Sequence, residues 1–101
     1  MTDTPQPTGR DLPSIRVHPP GPESAAMGAR LHEVESRNVT YVSDSWPVFW
    51  TRALGANVVD ADGNIFVDLT SAFGVALLGH AGPAVQEALQ TGTALIHGMG
   101  D

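Results

Sequence analysis

The first periodic run of apolar residues predicts an amphipathic helix. Its members recur at i, i+4 and i+7, and they are Met27, Leu31 and Val34. That spacing places them on one helical face. Gly21 suits the N-cap position, and Pro22 suits the first helical position, where the missing N–H of proline leaves no helical hydrogen bond unmade. We therefore predict a helix over residues 22–36.

A second periodic run predicts another helix further along the sequence. As at the first helix, a glycine, Gly82, suits the N-cap position and a proline, Pro83, suits the first helical position. The apolar stripe that follows consists of Val85, Ala88, Leu89, Gly92, Leu95 and Ile96. Because these positions follow the helical period, we predict a helix over residues 83–97. Gly92 lies inside that range, where a glycine costs about 1 kcal/mol relative to alanine.

Between the two helices the pattern is typical of short strands. Residues 48–51 and 57–60 are β-prone, and residues 65–69 alternate between apolar and polar positions. Asp62 and Gly63 are the preferred pair for a tight type I′ turn, in which both central residues need a positive φ. The sequence therefore predicts a small antiparallel meander, which needs something packed on its apolar face.

Two segments show neither the helical period nor the alternation of a strand. Residues 1–21 are rich in Pro, Thr, Asp and Gly and predict a disordered leader. Residues 70–80 are apolar but interrupted by Gly74 and Gly79, so they predict a buried or interfacial loop that another surface must cover. The chain is thus divided into the leader and one folded unit over residues 22–101.

Composition limits the chemistry that this chain can perform alone. It has 101 residues, no cysteine and a net charge of −6, and its five basic residues are all arginines. The lack of lysine excludes Schiff-base catalysis by this chain, and the lack of cysteine excludes disulfides and thiolate sites. An acidic, lysine-free chain has no electrostatic footprint for nucleic acid or for an anionic membrane. No targeting signal or spanning run is evident, so we expect a cytoplasmic location.

No complete active site follows from the residues themselves. The run from Asp60 to Asn64 resembles a calcium loop, but its glycine comes too early and Ser71 stands at the twelfth position. The four histidines have no metal-site spacing, and we expect the ring of His80 to hydrogen-bond nearby backbone. No serine lies in a nucleophile elbow. We therefore predict no metal site and no catalytic residue.

A chain of linked motifs over residues 46–97 nevertheless resembles a known family. The matching stretches are Pro47-Val48, residues 55–69, Ser71-Ala72-Phe73-Gly74-Val75, Gly79-His80-Ala81, Pro83-Ala84-Val85, Ala88-Leu89 and Leu95-Ile96-His97-Gly98. They resemble the N-terminal part of class III pyridoxal-phosphate-dependent aminotransferases, related to the 4-aminobutyrate, ornithine and acetylornithine enzymes. The sequence departs from the family at Gly82, where a second histidine is usual, and over residues 90–93, where a Gln-Ala type of stretch is usual.

The resemblance implies an architecture larger than this chain. It implies an α+β fragment of a fold-type I enzyme: an N-terminal helix, a small antiparallel meander and a following helix, all within the N-terminal portion of the small domain. The large domain with the lysine that binds pyridoxal phosphate would follow residue 101. This chain alone is not expected to hold the cofactor. The full-length relative would be a homodimer that moves an amino group from an amine or amino acid to a keto acid.

The resemblance also implies which residues line the substrate pocket. Phe73 matches the residue of the family loop that faces substrate, and Gly74 and Val75 flank it. Trp46, just before the first strand, is a further candidate. An ordinary packing role for Phe73 remains the alternative.

Three functional hypotheses remain open on the sequence. We favour a fragment of an aminotransferase that is inactive alone. The second is a stand-alone, non-catalytic interaction module that binds through its apolar loop and helix. The third is a degenerate gene remnant.

Overall fold

A computed structural model describes residues 4–35 and 48–92, and it contains two helices and three strands. In chain order these are α1 (Pro22–Val34), β1 (Trp50–Leu54), β2 (Asn57–Asp60), β3 (Ile65–Val67) and α2 (Pro83–Thr91). The strands form one antiparallel sheet in the order β1-β2-β3. This arrangement confirms the predicted meander between two helices.

The centre of the sheet is the only apolar core of the described residues. Val58 and Val59 lie on β2, the central strand, and both are buried. Successive side chains of a strand point to opposite faces, so both faces of the sheet are covered at this position. Strand β1 lies later in the chain than the predicted residues 48–51. Its last residue, Leu54, pairs with Asn57 across a two-residue turn, which the positive φ of Gly55 makes possible.

The β2–β3 turn differs from the predicted type I′ turn. Of its residues only Gly63 has a positive φ, of +81°. Gly63 N–H donates to the carbonyl of Asp60, and Asp60 N–H donates to the carbonyl of Asn64, both at 3.1 Å. This is a three-residue loop in which a left-handed glycine follows the turn. The Asp60 carboxylate explains the longer loop, because its Oδ1 accepts the N–H groups of Asp62 and Asn64.

The segment predicted as a disordered leader has defined contacts from residue 8 to residue 17, which we call the N-terminal strap. Ser14 exchanges two backbone hydrogen bonds with Ile65, at 2.9 and 2.8 Å, on the outer edge of β3. The side chain of Asn57 accepts from the N–H of Asp11, and that of Asn64 accepts from two further strap N–H groups. The composition of the leader did not indicate these contacts, because the groups that bind it lie some 45 residues away in the sequence.

Helix α1 starts at Pro22, as predicted, and ends two residues before the predicted end. Its first N–H groups, those of Glu23 and Ser24, donate to the carboxylate of Asp62 at 2.8 and 2.9 Å. Gly21 is required at the N-cap, because a Cβ there would lie 2.3 Å from the Cγ of Asp62. The turn of the hairpin thus caps the helix that precedes it in the chain.

Helix α2 begins at Pro83 after an N-cap at Gly82, as predicted, and none of its residues is buried. Gly92 is the C-cap of this described helix, so it does not carry the cost of an interior glycine. The predicted extension to residue 97 falls outside the described residues. Neither helix of the described part has the length and apolar character that crossing a membrane requires.

Candidate functional site

The sheet positions one long connection, the apolar loop of residues 70–80, between β3 and α2. Asp68, just before it, donates its N–H to the carbonyl of Ala56 at 2.8 Å. His80, at its end, exchanges two backbone hydrogen bonds of 2.9 Å with Gly55. Both ends of the loop are therefore fixed to the β1–β2 turn.

Within the apolar loop, residues 71–74 form a left-handed turn. The φ angles are 51° at Ser71, 49° at Ala72, 58° at Phe73 and 88° at Gly74. The first three residues carry a Cβ, and each such residue in this region costs roughly 1–2 kcal/mol. Backbone strain of this kind persists where surrounding contacts enforce it, and it is concentrated at functional sites.

The apolar loop presents its hydrophobic side chains to solvent in this structure. Phe73 is 102% exposed, so its ring has no cover. The other exposed large apolar residues in or next to the loop are Leu69, Val75, Leu77 and Leu78. Of the two predicted environments for this loop, burial within the described residues is wrong, and an interfacial position remains a prediction.

The predicted pocket residues fall into three groups. Phe73 and Gly74 lie together at the exposed left-handed turn, and a Cβ added to Gly74 would meet nothing within 4 Å. Val75 instead lines a groove of about 420 Å³ between the apolar loop and α2, together with Leu78, Val85, Leu89 and neighbouring residues. Trp46 lies outside the described residues.

The shortest polar contact at the loop is between Asp68 and His80, whose Oδ2 and Nε2 atoms are 2.7 Å apart. The predicted bond from the His80 ring to nearby backbone is thus wrong. The hydrogen bond with His80 lowers the pKa of the Asp68 carboxyl from 3.8 to about 2, with further lowering by Thr70 and Ser71 against an opposing effect of burial. Trp50 packs its ring edge-on against the imidazole, at 6.1 Å between centroids.

A second polar cluster, which sequence reasoning missed, lies in the sheet. Asn57, Asp60 and Asn64 are completely buried, and Asn64 Nδ2 donates to Asp60 Oδ2 at 2.8 Å. These groups hold the β2–β3 turn and the N-terminal strap. The Asp-x-Asp-Gly-Asn spacing was the available signal, but the sequence analysis interpreted it as a tight hairpin turn and did not predict a buried polar cluster. In residues 4–35 and 48–92, no three His, Asp or Glu side chains form a group that could hold a metal ion.

Comparison with known proteins identifies the family of this chain. The model of the family described as aminotransferase class-III matches residues 39–100. That match includes the hairpin, the apolar loop and α2. The chain belongs to the class III aminotransferase family.

Curated relatives carry several activities of this family. The chain is 38% identical over 71 residues to the 4-aminobutyrate aminotransferase of Mycobacterium leprae, which covers 70% of the chain and 15% of that protein. It is 47% identical over 45 residues to a glutamate-1-semialdehyde 2,1-aminomutase of Desulfosudis oleivorans, covering 45% of the chain and 10% of that protein. It is 50% identical over 44 residues to the 2'-deamino-2'-hydroxyneamine transaminase of Streptomyces kanamyceticus, covering 44% of the chain and 11% of that protein. The chain thus spans 10–15% of the length of these relatives.

Class III aminotransferases imply pyridoxal phosphate, and the residues of this chain do not fit that cofactor by themselves. The sequence has no lysine to bind the aldehyde of the cofactor. Residues 70–92 contain two ionisable side chains, His80 and Glu87, and no arginine for the phosphate group. His80 is already bonded to Asp68. The apolar loop can therefore supply a hydrophobic surface but not a cofactor anchor.

Proposed function

We propose that this chain is the N-terminal segment of a fold-type I, pyridoxal-phosphate-dependent class III aminotransferase and is inactive alone. The whole enzyme would move an amino group from an amine or amino acid to a keto acid. The cofactor, held by residues beyond those of this chain, would act as the electron sink. Within such an enzyme this segment would contribute a small sheet, the apolar loop and α2.

The exposed apolar loop is the observation that carries this proposal. Its hydrophobic side chains and the outer face of α2 have no cover among the described residues. Contiguous exposed apolar surface in a soluble chain marks a contact with another surface. In a class III aminotransferase whose relatives are several times longer, the rest of the enzyme and a second subunit would cover it.

We further propose that the exposed ring of Phe73 forms one wall of the substrate pocket. Gly74, Val75 and Trp46 are the further candidates for residues that line it. An apolar wall selects among substrate side chains and does not transfer protons. The left-handed turn supports this role, because it displays an aromatic side chain at the cost of backbone strain. The enzyme would be a cytoplasmic homodimer, with no role in nucleic-acid or membrane binding.

Two parallel assays test the proposal. The purified 101-residue chain is incubated with pyridoxal phosphate, dialysed and assayed with a panel of amino donors and keto acids. We expect no retained cofactor and no amino transfer, because the chain has no lysine. In the second assay, an antibody against residues 22–34 captures the protein from its source, and the captured protein is expected to retain cofactor and to transfer amino groups.

The controls make both outcomes interpretable. A full-length class III aminotransferase is the positive control for the first assay, and a pre-immune antibody is the negative control for the second. Amino transfer by the purified chain would contradict the proposed inactivity, and retained cofactor would contradict the proposal that residues beyond this chain hold it. A captured protein without cofactor or activity would instead favour a stand-alone interaction module, for which the groove beside α2 would be the binding surface.

A further inference from the structure

We propose that Asp68 and His80 are positioning residues: their contact closes the base of the apolar loop and thereby holds the left-handed turn that displays Phe73. We call this pair the loop clasp. The inference concerns two side chains outside the predicted pocket. It rests on the proposed function in one respect only: the turn is held so that Phe73 lies against substrate.

The loop clasp uses both oxygens of one carboxylate. Oδ2 of Asp68 accepts from His80 Nε2, twelve residues later, at 2.7 Å. Oδ1 accepts the N–H and the hydroxyl of Thr70, both at 2.9 Å, and the N–H of Ser71 at 3.0 Å. One side chain therefore binds the first residues of the apolar loop and its last residue together.

The direction of the central hydrogen bond follows from charge. The pKa of Asp68 lies at about 2, so its carboxyl is ionised near neutral pH and can only accept. His80 Nε2 must then carry the proton. The ring of Trp50 packs against the same imidazole, at 83° between the ring planes.

The left-handed turn needs contacts that hold its backbone in the strained conformation. At its tip the turn has little support, since Phe73 is fully exposed and a Cβ added to Gly74 would meet nothing within 4 Å. The hydrogen bonds inside the apolar loop are mostly local, such as Gly74 N–H to the carbonyl of Thr70 at 3.2 Å and Ala76 N–H to that of Ser71 at 2.8 Å. Ser71 is the first strained residue, and its N–H is one of the two backbone N–H groups that the Asp68 carboxylate accepts.

Amide hydrogen exchange of the whole 101-residue chain tests the loop clasp. The variants are Asp68→Asn, His80→Leu and His80→Gln, and the matched control is His18→Gln, at an exposed histidine in the N-terminal part of the chain. Gln is the conservative replacement, because its terminal N–H₂ reaches the position of Nε2. We expect His80→Leu and Asp68→Asn to speed exchange at Ser71 and Ala76 by about tenfold relative to wild type. Exchange at Asp60 and Ile65 in the hairpin serves as the internal reference and should not change.

The outcomes separate a positioning role from a general loss of stability. Protection restored by His80→Gln, with the control at wild-type rates, supports the loop clasp. Equal rates at Ser71 and Ala76 in wild type, Asp68→Asn and His80→Leu would overturn it. If a variant unfolds, its hairpin amides lose protection as well. The wild-type ring then decides: a ¹⁵N spectrum showing the neutral His80 protonated at Nδ1 rather than Nε2 would overturn the clasp.

A second measurement distinguishes failure of the loop clasp from failure of the proposed function. In the enzyme captured from its source, Phe73→Ala and His80→Leu are each expected to raise KM with a smaller change in kcat, and the double variant should be no worse than Phe73→Ala alone. Additive effects would overturn the positioning role while leaving the aminotransferase proposal standing. Absence of activity in the captured wild type would contradict the proposed function, and the exchange experiment would still decide on the clasp.

Discussion

Two aspartates determine much of the local geometry of this chain, and both have a pKa below the ordinary value. Burial raises the pKa of the Asp62 carboxyl, but hydrogen bonds from Ser24, Glu23 and Gly21 lower it by more. For Asp68 the partner His80 is the main cause of the lower pKa. The contacts of the folded state therefore favour the ionised form of each carboxylate.

Acid should weaken the fold through Asp68. Its pKa is lower in the folded chain than the ordinary 3.8, so its contribution to stability is complete above about pH 4 and is lost as the pH falls through the folded value of about 2. Urea unfolding measured at several pH values between these limits should show a steeper loss of the free energy of unfolding in wild type than in Asp68→Asn. Parallel curves would contradict this assignment.

Removal of the Asp62 carboxylate should destabilise α1. Asp62→Ala leaves the N–H groups of Glu23 and Ser24 without their acceptor, and loss of a helix cap costs about 1 kcal/mol. The free energy of unfolding from urea titration measures this loss. Glu33→Gln, at an exposed position of the same helix, is the control and should stay near wild type. An Asp62→Ala variant as stable as that control would contradict the cap.

At the scale of elements, local patterns predicted the start of α1, all of β2 and the start of α2, because capping residues and β-branched runs act over a few neighbours. The turn at Gly63 was misjudged, since the Asp60 side chain selected a longer loop than the Asp-Gly pair suggests. The N-terminal strap was missed because buried amides far along the chain bind it.

The candidate site was predictable only in part. The family resemblance predicted Phe73 as a pocket residue, and the structure places it on an exposed turn. The contact of Asp68 with His80 was not predicted, because these residues are twelve apart and neither alternation nor helical spacing connects them. An isolated histidine and a strand-end aspartate give no local sign of their partner.

The N-terminal strap should detach when its main acceptor is removed. Asn64→Ala takes away the oxygen that accepts from the N–H groups of Arg16 and Val17, and also the amide that binds Asp60. Because a buried partner is left unsatisfied, we expect a loss of roughly 1–3 kcal/mol. Limited proteolysis should then cleave within residues 8–17 faster than in wild type. Gln90→Ala, which removes an exposed amide, is the control, and equal cleavage in both variants would contradict the strap contacts.

At the scale of the whole molecule, the buried polar side chains are hydrogen-bonded, while many large apolar side chains lie at the surface. None of the buried side-chain nitrogen or oxygen atoms in the described part lacks a hydrogen-bond partner. The apolar loop and α2, by contrast, leave large hydrophobic side chains exposed. Such a distribution fits a segment whose exposed apolar face belongs to a larger assembly.

The exposed apolar loop should make the isolated chain self-associate. Replacing Phe73 and Leu77 together by Ser should reduce binding of a hydrophobic dye and shift sedimentation towards the monomer. The free energy of unfolding should change by less than about 0.5 kcal/mol, because both side chains are exposed. Val59→Ser, in the buried core, is the contrasting variant and should unfold the chain. Unchanged dye binding in the double variant would contradict the exposed loop.

The central claim is that this chain is a segment of a larger class III aminotransferase, and the mass of the endogenous protein tests it most directly. An antibody against residues 83–97 is used to detect the protein in an extract of its source, with the purified chain as the size standard. We predict a species several times heavier than 10.6 kDa, since the chain spans 10–15% of its relatives. A single species at 10.6 kDa would contradict the claim.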